Sequence, residues 1–200
     1  MIVFYDFETT GFVDKRAPLN AEHQPHIVQA AAIATDDNGR KVASFDVIVR
    51  PDGWSIPGQS TAVHGITDAM AHEFGVSEQA ALRLLARFIG KAKLRVAHNE
   101  EFDCAIMKVA ASRYYFDPGL DAELKSLPAF CTMQATRDLC RIPPTERMVA
   151  AGITEFKSPR LEEAYRHLFG EEIDGAHDAM VDVTACKRIY EHLKNEGVAA

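Results

Sequence analysis

The sequence begins MIVFYDFETTGF, residues 1–12, and the fold turns on how Tyr5-Asp6-Phe7-Glu8 is read. Ile2, Val3, Phe4, Tyr5 and Phe7 are β-branched or aromatic. A short run of this kind, closed by Thr9-Thr10-Gly11, has the composition of a strand covered on both faces. Asp6 and Glu8 interrupt it. Side chains alternate along a strand, so residues two apart share a face at a spacing of roughly 6–7 Å, and both carboxylates point the same way. Burying two ionised acids side by side is costly unless a cation lies between them or one takes up a proton. Two readings follow from this stretch alone: the strand ends at Asp6 with both acids wet at its mouth, or the pair holds a divalent cation.

Downstream, a polar loop from Val13 to Pro25 leads into Ile27-Val28-Gln29-Ala30-Ala31-Ala32-Ile33-Ala34, a second strand. Asp36-Asp37-Asn38-Gly39 is turn chemistry, and Val42 to Val49 alternates well enough to return as the other arm of a hairpin. From Ser77 to Ile89, Ala81, Leu84, Leu85 and Phe88 fall at helical spacing, and Leu94-Arg95-Val96-Ala97 reads as a short strand. A second helix is expected from about Glu101 to Tyr114 and a last strand at Phe130 to Met133. Two more helices follow, one started by Ser158-Pro159 and one from about Asp178 to Leu193. Arg141 to Arg160 reads as a long loop with a short helical piece. A hairpin followed by alternating helices and strands indicates an α/β domain with a mixed sheet, here of five strands flanked by helices.

With 200 residues and a hydrophobic fraction of 47%, one domain with a sizeable core is expected: residues 1–195, with 196–200 as a short tail. There is no run apolar enough to cross a bilayer and no basic leader before the first strand, so the expectation is a cytoplasmic protein without a membrane partner. Cys104, Cys131, Cys140 and Cys186 have no zinc-like spacing and fit a reducing compartment. The charge balance, 22 − 29 = −7, argues against holding long nucleic acid by charge alone. Lys91, Lys93 and Arg95, or Arg141, Arg147, Lys157 and Arg160, are cations available to guide a strand.

Two further acidic stations follow. In RVAHNEEFD (residues 95–103), Asp103 lies just after a strand, near the start of a helix whose apolar stripe is Phe102, Ile106, Val109 and Ala110. An aspartate in a first helical turn also suits the helix dipole with no further role. In GAHDAMVDVTACKRIYEHL (residues 175–193), Val183, Cys186, Ile189, Tyr190 and Leu193 form an apolar face with Asp182 at its edge. His177, five residues earlier, is placed to reach the same pocket, although His177 and Asp178 also suit simple helix capping. Each acid has an ordinary explanation alone. Together they leave open why carboxylates recur at a strand, a helix start and a helix interior, each beside buried apolar positions.

Asp6-Phe7-Glu8-Thr9-Thr10-Gly11, His98-Asn99-Glu100-Glu101-Phe102-Asp103, and His177 followed by Asp182 resemble, in order and separation, the three motifs of the DEDDh, or DnaQ-like, 3′-to-5′ exonucleases. Val63-His64-Gly65-Ile66-Thr67 is similar to a further family segment near the terminal nucleotide. The resemblance covers Ile2 to about Tyr190. It implies a ribonuclease H-like sheet on which Asp6, Glu8, Asp103 and Asp182 converge on two Mg²⁺ or Mn²⁺ ions about 3.5–4 Å apart, clamping the scissile phosphate. It implies His177 as the general base toward the attacking water, and Thr9, Thr10, Gly11, His64, Asn99 and Phe102 as the substrate-binding slot. Phe12 and Phe102 are candidates for stacking on bases. The implied activity is metal-dependent hydrolysis at single-stranded or frayed 3′ ends, DNA ahead of RNA, releasing 5′-mononucleotides. A homodimer and a polymerase contact stay open, as does a non-catalytic nucleic-acid-binding or polymerase accessory module.

Overall fold

The opening run forms strand β1 (Ile2–Thr9), antiparallel to β2 (Ile27–Thr35), which pairs antiparallel with β3 (Lys41–Arg50). The hairpin turn is closed by the Asp36 carboxylate, which accepts from the backbone N–H groups of Asn38 and Arg40. There follow α1 (Gly58–His64), α2 (Asp68–Phe74), β4 (Val76–Ser77), α3 (Glu78–Ile89), β5 (Leu94–Ala97) and α4 (Glu100–Arg113). The chain continues through β6 (Ala129–Cys131), α5 (Thr132–Cys140), α6 (Glu146–Ala150), α7 (Leu161–Phe169) and α8 (Ala179–Asn195). This is a computed structural model, and it describes residues 1–114, 122 and 124–199.

The strands form one mixed sheet in the order β4-β3-β2-β1-β5-β6, with β5 parallel to β1 and β6 parallel to β5. The expected α/β sheet flanked by helices is present with six strands rather than five. The extra one, β4, pairs with β3 at only two positions, too few for alternation to register in a sequence. The last strand is Ala129–Cys131 rather than Phe130–Met133: the chain turns into α5 at Thr132, so Met133 is helical. That helix, α1 and α2 were not anticipated, because helices of seven to nine residues give two turns at most and show little periodicity. The helical piece expected between Arg141 and Arg160 is α6.

Strand alternation divides the core. Val3, Tyr5 and Phe7 point to the face covered by α3 and α4, where they meet Leu82, Leu85, Ile106 and Met107. Ile2 and Phe4 point the other way, onto α7 and α8, where they meet Ala164, Val183, Ile189 and Tyr190. Asp6 and Glu8 continue the row of Ile2 and Phe4, so the α8 face of β1 begins apolar and ends acidic. Parallel pairing of β1 with β5 covers only Ile2 to Phe4. Past that point the edge of β1 is open, and α4 enters the gap. Arg95, weighed above as a guide for a nucleic-acid strand, is instead buried in β5. Its guanidinium donates to Glu100 and to the carbonyl of Leu127, and the Tyr5 hydroxyl donates to the same carboxylate. Lys93 and Lys157 are engaged with Asp37 and Glu163.

Candidate active site

The open edge of β1 places the acids. Asp103, in the first turn of α4, is buried. Its carboxyl is held well above the usual range by burial and then by the charges of Asp6 and Glu100. Asp6 is pushed up to about 8 by burial, reinforced by Asp182 and Asp178. Glu8 is pushed up to about 9, again chiefly by burial, with Asp6, Asp182 and Asp178 adding to it. The charges acting on Asp6 and Glu8 are thus those of other carboxylates.

The third station comes from α8. Asp178 caps this helix, its Oδ1 accepting from the backbone N–H groups of Met180 and Val181 at 3.0 and 3.1 Å. One turn later stands Asp182, raised to about 6 by burial, while the charge and the backbone N–H of His177 pull it down. The Oδ1 of Asp182 is buried and has no hydrogen-bond partner. Glu8, His177 and Asp182 each offer a ligand atom within 4.8 Å of the others. Residues distant in sequence therefore meet at one end of β1: Glu8, Asp182 and His177 by distance, Asp6 through the charge of Asp182 acting on it, and Asp103 through the charge of Asp6. Buried oxygens of like charge, one of them unpartnered, with hard carboxylate donors in the majority, fit a divalent cation.

His177 occupies a left-handed backbone conformation, φ 68°, which few non-glycine residues adopt. Its Nε2 lies 3.6 Å from Oε1 of Glu162 in the first turn of α7. Sequence reasoning missed Glu162, because nothing local sets one helical glutamate apart. His98 is also more than a motif flank. Its Nε2 can only donate to the carbonyl of Pro159, 3.1 Å away, so Nδ1 accepts from the Thr132 hydroxyl at 3.0 Å. Burial holds this imidazole down at about 4. The neutral ring ties the end of β5 to the segment that leads into α7.

Thr10 exchanges two hydrogen bonds with His26, and its carbonyl accepts from Ser60 of α1. The Thr9 hydroxyl donates to the carbonyl of Gly11 at 2.8 Å. The Nδ1 of His64 accepts from the Ile66 N–H, while its Nε2 is buried without a partner. Burial and the nearby charge of His177 lower its pKa. Asn99 precedes α4 with a left-handed φ of 70°. Phe102 is half-buried and meets edge-on the ring of Phe12, which is 91% exposed.

The sequence pattern of the RNase_T exonuclease family matches residues 3–190. The chain belongs to this family. The DnaQ-like grouping expected from the motifs is borne out. Over 135 residues, 64% of its length, this exonuclease-family chain is 36% identical to a DNA polymerase III subunit epsilon-like protein of Rhodobacter capsulatus, of which it spans 17%. Its fold is that of exonuclease I. Superposition on the E. coli enzyme in complex with a dT13 oligonucleotide gives a TM-score of 0.75 at 21% identity, covering 96% of this chain and 40% of that one. The zinc-bound form of the E. coli complex with single-stranded DNA gives 0.74 at 22% identity, covering 98% and 40%. The α/β, ribonuclease H-like sheet is therefore shared, and this chain spans less than half of those proteins. Among the described residues, no helix is long and apolar enough to cross a membrane.

Proposed function

We propose that this exonuclease-family chain hydrolyses the terminal phosphodiester bond of nucleic acid in the 3′-to-5′ direction, DNA ahead of RNA, and releases 5′-mononucleotides with the aid of two Mg²⁺ or Mn²⁺ ions. The observation that carries the reading is the approach of Glu8, His177 and Asp182 ligand atoms to within 4.8 Å of one another, with the charge of Asp6 acting on Glu8 and on Asp103, all four carboxyls raised chiefly by burial and the Oδ1 of Asp182 unpartnered. When bound, divalent ions would supply Lewis-acid stabilisation of the phosphate and activation of water. The four acids would hold them, with β1 giving Asp6 and Glu8 a rigid seat. His177, exposed at the mouth and one residue before the α8 cap, would receive the proton of the attacking water. Thr9, Thr10, Gly11, His64, Asn99 and Phe102 would bind the terminal nucleotide, and the exposed Phe12 would stack on its base.

Support for nucleic acid comes from the oligonucleotide complexes of the structural neighbours. Support for a polymerase context comes from the name of the Rhodobacter relative. The non-catalytic accessory reading lacks a favouring observation, since all five catalytic positions carry side chains able to do the chemistry. The test uses oligonucleotides labelled at the 5′ end or the 3′ end, as DNA and as RNA, with Mg²⁺ and with chelator. A ladder shortening from the 3′ end in Mg²⁺ alone is expected. Binding without shortening would replace the enzyme reading with the accessory one.

A further inference from the structure

From Ile27 to Ala34, β2 is apolar except at Gln29, which is buried and lies directly across from Glu8 in the β1–β2 register. Its amide spends every group it has. The Nε2 donates to Asp46 Oδ1 at 2.9 Å on β3 and to Asp178 Oδ2 at 3.2 Å, and Oε1 accepts from the backbone N–H of Ala179 at 3.2 Å. Asp178 in turn uses its other oxygen to cap α8, and its carbonyl accepts from the N–H of Asp182 at 2.9 Å. One side chain thus joins two strands to the first turn of the helix that bears Asp182 and is preceded by His177. The alternative is costly: without the amide, the half-buried Asp178 loses its donor beside the charge of Asp46, and Ala179 loses the acceptor for its buried N–H.

We propose that Gln29, acting through Asp178, is a positioning residue that sets His177 and Asp182 against the acids of β1. The proposal rests on the exonuclease reading of the site. The left-handed backbone of His177 explains why a special anchor is needed: a residue in that conformation stays there only if its surroundings hold it. An apolar residue at position 29 would fill the space in β2 as well, so strand packing does not require the amide. What the amide adds is a fixed distance between the β2–β3 hairpin and α8, one joint between the strand that pairs with Glu8 and the helix that bears Asp182.

The experiment compares wild type with Gln29→Met, close in size but without donors, and Asp178→Asn, which keeps an oxygen for the cap but turns a donor toward Gln29. The reversed pair is Gln29→Glu with Asp178→Asn, made together with Asp46→Asn so that no carboxylate faces the new Glu; it exchanges donor and acceptor at both contacts and restores the bonds. Two readouts are taken on each: hydrogen–deuterium exchange of residues 177–182 and steady-state turnover of a 5′-labelled single-stranded DNA in Mg²⁺. Each single variant is expected to exchange faster at 177–182, with the amides of β1 unchanged. Its kcat should fall about 10- to 100-fold with KM within about twofold, and the reversed pair should regain most of the kcat. Unchanged exchange and kcat in both single variants overturn the proposal, as does a reversed pair no better than Asp178→Asn. Should wild type show no turnover, the exonuclease reading fails. Exchange at 177–182 then still decides whether Gln29 anchors the segment.

Discussion

Glu8 on β1 and Asp182 on α8 present carboxylate oxygens within 4.8 Å of each other, 174 residues apart in the chain. Burial raises both. A fold that brings acids this close without a cation is working against its own stability, and its behaviour toward metal and protons follows from that.

Asp6→Asn and Asp182→Asn should each raise the melting temperature of the metal-free protein, by a few degrees, because each removes one of the mutually repelling buried charges. Both should also abolish the stabilisation that Mg²⁺ gives wild type. Scanning calorimetry with and without Mg²⁺ checks this. A variant that melts lower than wild type without metal would show that the charge is already compensated.

The pH dependence has a definite sign. Asp6 and Glu8 stand at about 8 and about 9 in the folded chain against 3.8 and 4.5 ordinarily, so the folded state binds more protons than the unfolded one across that window. Metal-free stability should therefore fall as pH rises from about 5 to about 9. Saturating Mg²⁺ should flatten this limb, and its apparent affinity should grow with pH because it displaces protons. Urea midpoints at pH 6 and pH 9, with and without the ion, decide it.

His98 works in the opposite window. Its folded value of about 4 against 6.5 means that the unfolded chain binds the extra proton first. Stability is lost as pH falls from 6.5 toward 4, by on the order of 3 kcal/mol at the acid end. His98→Asn should lower stability at pH 7 by about 1–3 kcal/mol through the lost bonds to Thr132 and Pro159. It should also remove most of this acid limb in urea titrations between pH 7 and pH 4.5.

His177→Ala and Asp182→Ala separate the proton-transfer role from the ligand role. Both should reduce turnover by about 10²-fold or more. Only Asp182→Ala should weaken Mg²⁺ binding by calorimetry. Equal loss of affinity in the two variants would make the histidine a ligand.

Arg95→Met should be strongly destabilising, by about 3–5 kcal/mol, because Glu100 is left buried with only the Tyr5 hydroxyl. Arg95→Met with Glu100→Gln should recover part of that. Chemical denaturation of the three proteins measures it.

Much of the site was legible in the sequence for a local reason. Alternation along β1 puts Asp6 and Glu8 on one face whatever else the chain does, and Asp103 and Asp182 sit beside helical stripes that must be buried, so each acid is marked by an apolar neighbourhood. The long strands and the helices at Glu78–Ile89, Glu100–Arg113 and Ala179–Asn195 carry enough turns or alternations to be read directly. Residue order also carried the family motifs. Tertiary structure decided the rest. Parallel pairing of β5 stops at Phe4, and α4 brings Asp103 under the charge of Asp6. The partners of His177, His98 and Gln29 are Glu162, Pro159 and Asp178, 15, 61 and 149 residues away. The short helix α2 buries Ala71, and the two-residue β4 exists by pairing with β3. Periodicity records which face of an element is buried, but not what lies against it, and a hydrogen bond between distant residues leaves no trace in the spacing of either.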